Sequence, residues 1–342
     1  VTSPPNDDRS RRLPTMRDVA EHVGVSRQLV SLVLRGAPGP SSAARERILA
    51  AAAELGYHAN LSARLLRQNR THLVGALFNL RNPFEAKVVE RLFVRAPESG
   101  FGVVLGPVTR ERGVAELMGK MLEQRIEALV GFVPQPQSEA VADIVRMMPV
   151  VVLGQRAADE RFDNVHIDEL EAMRLAVEHL LGLGHRDIVY LGGGDDSVVG
   201  RDREHAFRAA MGDRPARVIG GGWGEEDGAA AARELIAAGP LPTAVVCCSD
   251  TTAVGALAVF AHAGIRVPQD VSVVGFDDSY LARLSYNALT SIRQDVEATV
   301  EETVRAVIAR ITDAEVAPRT VLTPPTLIVR ASTGPAASRS AG

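Results

Sequence analysis

The chain has 342 residues, 38 of them basic and 42 acidic, for a net charge of −4. That is enough chain for two or three domains with a real core, and 46% hydrophobic with 23% charged residues is an ordinary globular mixture. No apolar run approaches the ~18 residues of a membrane span, and the charged, proline-bearing start has no signal-peptide core, so a cytoplasmic protein without membrane contact is expected.

Charge is unevenly spread. Residues 1–70 hold eleven Arg, no Lys and six Asp or Glu, about +5, which leaves about −9 for the rest. A basic head on an acidic body points to a polyanion met by the head alone. Residues 1–14, "VTSPPNDDRSRRLP", lack an apolar pattern and are expected to be a disordered leader. Thr15 can cap a helix over Met16 to Val23, which Gly24 ends; Ser26 can cap a second over Arg27 to Arg35. After "GAPGPSS", Ala43 to Leu55 reads as a third, stopped by Gly56.

Past residue 72 the texture changes. Short apolar runs such as "HLVGALF", "ALVGFV", "PVVVLG", "DIVYLGG" and "SVVGF" alternate with helical segments. That rhythm predicts βαβ units and open parallel sheets, and about eight such units fit two packed lobes better than one wide sheet. Cys247 and Cys248, the only cysteines, are adjacent in "AVVCC" and read as buried small hydrophobes rather than a disulfide. The tail "GPAASRSAG", 334–342, is expected to be loose.

The second helix resolves into two faces at 100° per residue. Arg27, Gln28, Ser31 and Arg35 share one arc, while Leu29, Val30, Val33 and Leu34 share the opposite one. The apolar face can seat on the other helices. The polar face presents Arg and Gln, which can pair with guanine and adenine edges in a major groove. Two helices joined by a glycine-bearing turn, the second exposing such a face, make a helix-turn-helix.

"TMRDVAEHVGVSRQLVSLVLRG", "ARERILAAAAELGYHANLSARLLRQNRTHLVGALF", "NPF", "VEHLLGLGHRDIVYLGG", "VSVVGFDD", "LTSIRQDV" and "LIVRAST" together resemble the lactose-repressor (LacI) family of bacterial transcription regulators, over about residues 15–333. The resemblance implies an all-α helix-turn-helix headpiece (15–60), a hinge helix and linker (61–72), and an α/β body of two lobes (73–333) built on parallel doubly wound sheets like periplasmic sugar-binding proteins. Lobe one would take about 73–167 and 293–323, and lobe two about 168–292 plus the C-terminal strand. It also implies a homodimer on a near-palindromic operator in double-stranded DNA, a small carbohydrate effector between the lobes, and no cofactor, metal or catalysis. The tail after Arg330 has no heptad repeat of the kind that builds tetramers in some relatives.

By the same resemblance, Arg27, Gln28 and Leu32 stand where operator bases are read. Thr15, Arg17, Ser26, Ser31 and Arg35 stand where phosphates are held. Tyr57 and Asn60 lead into the hinge, Ala63 and Arg64 sit at the minor groove, and Leu66 aligns with a leucine wedged into the central base step. This chain has Leu29 where Thr is general and Ala59 where Pro is frequent. Leu32 cannot hydrogen-bond a base edge, although it can touch a thymine methyl. For the effector, the resemblance assigns Arg203 as a clamp, Asp277 as a hydroxyl partner, Trp223 as a ring cover and Phe84 as the opposing wall, with Gln155 and Ser249 replacing a common Asp and Asn. Glu169 departs from a usual Asn. The commoner family behaviour is release of DNA by the ligand.

Other motifs lead elsewhere and fail. "YLGGGDDSVVG" follows a strand but lacks both phosphate-loop spacings and carries Asp195 and Asp196 where phosphates would sit. His179 and His185 have no third metal ligand at a suitable spacing, and no G-x-S-x-G elbow occurs. A sugar-binding transport protein or an α/β enzyme using the same cleft are the alternatives; the basic head opposes the first and the missing nucleophile–base pair the second.

Overall fold

The computed structural model describes residues 14–34, 36–57, 70–109, 111–132, 147–157, 161–194 and 197–337. Residues 1–13 of the expected leader (1–14) and 61–69 of the expected hinge and linker (61–72) lie outside the described residues, as do Arg35 and 58–60; the expectations for Arg35, Asn60, Ala63, Arg64 and Leu66 fall there. Two compact units emerge, divided between Thr71 and His72.

The first unit holds α1 (Met16–Val23), α2 (Arg27–Leu34) and α3 (Ser42–Glu54). Thr15 and Asp18 cap α1 reciprocally: the Asp18 amide donates to the Thr15 hydroxyl, and the Thr15 amide to the Asp18 carboxylate at 2.6 Å. Gly24 closes the helix at φ +72°, a left-handed conformation in which any side chain is strained, and its N–H reaches the carbonyls of Ala20 and Glu21. The Ser26 hydroxyl accepts from the Leu29 amide at 3.2 Å, starting α2. Val19, Ala20, Val30, Val33, Ile48, Ala51 and Ala52 are buried together, with Leu29 and Tyr57 packed at the margin. Burial of each valine is worth roughly 1.5–3 kcal/mol. Arg47 donates to the Val23 carbonyl at 3.0 Å and Arg45 to that of Ala37 at 2.9 Å, tying α3 to α1 and to the loop after α2.

The second unit contains two six-stranded sheets. Lobe one is formed by β1 (Leu73–Asn79), α4 (Pro83–Arg95), β2 (Gly102–Val108), α5 (Val114–Glu123), β3 (Ala128–Gly131), β4 (Val150–Leu153) and β5 (Asp163–Ile167). Lobe two runs through α6 (Glu169–Gly182), β6 (Ile188–Leu191), α7 (Val198–Met211), β7 (Arg217–Ile219), α8 (Glu225–Ala237), β8 (Ala244–Cys247), α9 (Asp250–His262), β9 (Ser272–Asp277), α10 (Tyr280–Arg283) and β10 (Thr290–Arg293). The chain then returns to lobe one with α11 (Val296–Thr312) and β11 (Thr320–Thr323), and ends on lobe two with β12 (Thr326–Ile328).

Lobe one has the order β11-β5-β4-β3-β1-β2 with every pair parallel. Lobe two has β12-β10-β9-β8-β6-β7, parallel except β10 with β12. The central strands β3, β4, β6 and β8 are buried along their whole length, which is why they read as continuous apolar runs. Apolar clusters cover both faces of each sheet, and Cys247 and Cys248 are buried free thiols.

Strand order reverses direction between β1 and β3 in lobe one and between β6 and β8 in lobe two. Crevices at the carboxyl ends of open parallel sheets form at such switch points. In lobe two that places Gly192–Gly194, Cys248 and Ser249 at the crevice. The segment from 334, expected to be loose, is instead held as far as Ala336. The Gly334 amide donates to the Ser272 hydroxyl, its carbonyl takes His185 at 3.0 Å, and the Ala336 amide donates to the Leu183 carbonyl at 2.9 Å. Backbone partners on lobe two outweigh the polar composition of that stretch.

Candidate nucleic-acid interface and effector cleft

On α2, Arg27 and Gln28 are exposed, Ser31 and Leu32 half-buried, and Val30 and Val33 fully buried. Two successive side chains with forked or paired donors and acceptors therefore project from the start of a helix whose other face is fixed by packing. Ser26 is exposed at the cap and Thr15 half-buried at the start of α1. Arg17 is exposed and donates to Glu21 one turn on at 2.7 Å. Tyr57 packs on the three-helix core at the end of the first unit, so its ring secures the exit from α3.

In lobe two, four of the residues assigned to the effector converge at the switch point. Ser197 caps α7 through its hydroxyl, which sets Arg203 on the buried side of that helix, 3% exposed. Arg203 donates from Nε and Nη2 to the two carboxylate oxygens of Glu169, at 3.0 and 2.8 Å, and from Nη1 to the Cys248 carbonyl at 2.5 Å. Its guanidinium lies 3.5 Å from the centroid of the Phe276 ring and 5.5 Å from that of Trp223. A buried cation is expensive unless paired and hydrogen-bonded, and Glu169, at the first position of α6, meets both needs. Burial alone lowers the Arg203 pKa, but the Glu169 charge and hydrogen bonds outweigh it and hold the guanidinium protonated.

Ser249 caps α9, accepting from the Thr252 amide at 3.1 Å and donating to the Trp223 carbonyl at 3.3 Å, so the serine positions the tryptophan backbone. Asp277 ends β9 at φ +112° and accepts from Gln294 Nε2 at 2.7 Å. Burial pushes its carboxyl well up, reinforced by the nearby Asp250 charge. Next to it, Asp278 is wholly buried and takes Arg283, Arg293 and Arg330 on its two oxygens at 3.1, 2.7 and 2.5 Å. It is the anchor of the turn that aims Asp277.

Lobe one contributes less directly. Phe84, second residue of α4 behind the Asn82 cap, is 6% exposed and lies within the lobe-one core, edge-on to Phe132 at 5.9 Å between centroids. The half-buried Phe132, just past β3, is the more exposed ring of the pair. Gln155 follows β4, its carbonyl accepting from Asn164 Nδ2 at 2.5 Å. Its neighbour Arg156 reaches Asp202 of lobe two.

Three participants were not assigned from the sequence. Glu169 stood out only as a departure from a usual Asn, and Phe276 and Tyr190 only as members of strand-like runs. Tyr190 is fully buried and stacks on Phe207 at 5.3 Å, and its hydroxyl has no hydrogen-bond partner among the described residues. The signal that could have found it is a hydroxyl-bearing aromatic in a strand otherwise made of Ile, Val and Leu. His179 and His185 bond Thr333 and the Gly334 carbonyl, each at 3.0 Å, and so fasten the C-terminal segment.

Comparison with known proteins divides the chain along the same lines. Residues 15–60 match the bacterial regulatory proteins of the lacI family, and residues 177–333 match a periplasmic binding protein-like domain. The HTH-type transcriptional regulator CelR of Thermobifida fusca is 33% identical over 340 residues, covering 94% of this chain and 99% of CelR. The solved structure of the lac repressor dimer bound to operator and the anti-inducer ONPF is 28% identical and superposes with a TM-score of 0.80, over 94% of this chain and all of that one. A CelR–cellobiose complex is 30% identical with a TM-score of 0.69, covering 93% of this chain and 99% of the other. No described helix is long and apolar enough to cross a membrane. With a three-helix head, a two-lobed α/β body and 33% identity to CelR over nearly its whole length, the chain belongs to the lacI family of bacterial regulatory proteins.

Proposed function

We propose that this protein is a homodimeric, sequence-specific DNA-binding repressor whose operator affinity is set by a carbohydrate held between its two lobes. The observation that carries the reading is α2: Arg27 and Gln28 are exposed on a helix fixed through Val30 and Val33, a face suited to base edges in a major groove. Likeness to a dimer bound to operator and to a cellobiose complex supports the partner, the assembly and the ligand class. Within the cleft, Trp223 offers an apolar face for a sugar ring, while Asp277 and Ser249 offer polar atoms for its hydroxyls; Arg203 holds the floor rigid. Each half-site gives a small interface, and pairing two in a dimer supplies specificity through effective concentration. An effector that binds one lobe arrangement about 5- to 150-fold better can shift DNA affinity by up to that factor.

The relatives are transcriptional regulators, and the body is read here as a receptor that releases DNA when occupied. A gel shift with the protein's own promoter region, against random duplex and with cellobiose, lactose or ribose added, tests all parts. Preference for the promoter fragment, relieved by one sugar, is the expected result. Equal binding to random duplex at every salt concentration would overturn the DNA reading.

A further inference from the structure

Resting on the effector reading above, we infer that Glu169 makes this cleft selective for uncharged polyols and closes it to sugar acids and sugar phosphates. The forked edge of a guanidinium, Nε–H with Nη2–H, is the edge that takes a carboxylate or phosphate in bidentate fashion. In Arg203 that edge is already filled by Glu169, at 3.0 and 2.8 Å, while one N–H of Nη1 goes to the Cys248 carbonyl. One face of the guanidinium lies on Phe276. The cation at the centre of the floor is thus neutralised from within the chain.

An anionic ligand group could take the Nε/Nη2 edge of Arg203 only by expelling Glu169. The Glu169 side chain is 12% exposed, so expulsion would leave a nearly buried carboxylate without its cation and next to a second negative charge. Asp277, whose backbone follows Phe276 directly, adds another carboxyl acceptor. A sugar hydroxyl suits this surface: it donates to carboxylate oxygens that still have free lone pairs, and it asks nothing of the occupied fork. A ligand carboxylate or phosphate brings only acceptors and a further negative charge beside Glu169, whose cation is already taken.

The test uses the full-length protein and two independent readouts. Calorimetric titration compares cellobiose and lactose with cellobionate, lactobionate and cellobiose 6′-phosphate. The neutral sugar should bind at least 100-fold more tightly than its charged counterparts, and Glu169→Gln, or the shorter Glu169→Asn, should narrow that gap to within 10-fold. Charged and neutral sugars binding alike in the unmodified protein, or an unchanged gap in both variants, would sink the inference. The second readout needs no ligand. Trp223 is the only tryptophan and lies 5.5 Å from the Arg203 guanidinium. Its fluorescence should be quenched by iodide less than by neutral acrylamide, and that ratio should rise at least twofold in either variant. If no sugar of either charge binds, the carbohydrate reading fails, and the quenching ratio alone decides the role of Glu169: the same ratio with and without its charge overturns it.

Discussion

Arg156 and Asp202 form a salt bridge between the lobes, nitrogen to oxygen 3.2 Å, from the loop after β4 to α7. Asp202 immediately precedes Arg203, so this link runs from the lobe-one rim to the helix that carries the cleft's cation.

Exposed ion pairs contribute about 0–1 kcal/mol and are screened by salt. With the Arg156 side chain 69% exposed, Arg156→Ala should lower stability by less than about 1 kcal/mol in 50 mM salt. In 0.5 M salt the difference should vanish. Urea melts at the two salt concentrations check this, and a loss above about 2 kcal/mol would mean the bridge is worth more than its exposure allows.

Replacing Arg27 and Gln28 by Ala should remove the preference for operator over random duplex while effector affinity stays unchanged. Each bidentate base contact is worth about 1–3 kcal/mol of discrimination. Competition gel shifts and sugar titrations on one preparation measure both. Retained discrimination in the double variant would take these residues out of base reading.

Arg203→Ala strands the Glu169 carboxylate in a nearly closed site, and breaking a buried pair costs about 3–5 kcal/mol. Removing both partners should cost less than the sum of the single losses, because the remaining charge goes too. Denaturant melts of Arg203→Ala, Glu169→Ala and the pair give the coupling. Strict additivity would show that the two side chains act separately, against their two hydrogen bonds.

The contribution of His179 and His185 to stability should fall as pH drops below about 6.5, the histidine reference value, against an opposite slope from the carboxyls of Glu85, Asp250 and Asp277, whose pKa values burial raises. Burial lowers the pKa of both His179 and His185. His185 Nε2 is bonded to the Gly334 carbonyl, whereas Nδ1 is buried with no partner among the described residues, so a second proton has no acceptor among them. The unfolded chain takes up that proton first, and stability is lost between the unfolded pKa and the lower folded one. The slope is at most about 1.4 kcal/mol per pH unit for each histidine. Urea melts at pH 7.5 and 5.5 of the unmodified protein and of His185→Gln, which can still donate to Gly334, isolate the His185 part as their difference: acidification should favour the variant over the unmodified protein. An unchanged slope would place the loss in other groups.

Much of the headpiece could be read in the chain itself, because its devices are local. Thr15 and Asp18 are three residues apart, Ser26 and Leu29 likewise, and Gly24 is permitted by its own backbone. The split of α2 into an apolar and a polar face needs only the helical period, and Leu29 packs with the core as its place on that arc predicts. The alternation of buried strands with helices in the body is legible for the same reason.

Pairings between distant segments needed the tertiary structure. Nothing near Glu169 announces that its carboxylate fills the fork of Arg203, 34 residues on. Nothing near Asp278 announces Arg330, 52 residues away, nor do the residues after 334 reveal their backbone bonds to lobe two. The sequence alone determined the three headpiece helices, the faces of the second, the strand–helix rhythm of the body and which family the order of motifs resembles. Tertiary structure decided which charges are neutralised in the cleft, because burial and partner choice depend on what chain closure brings together, and no local rule encodes that.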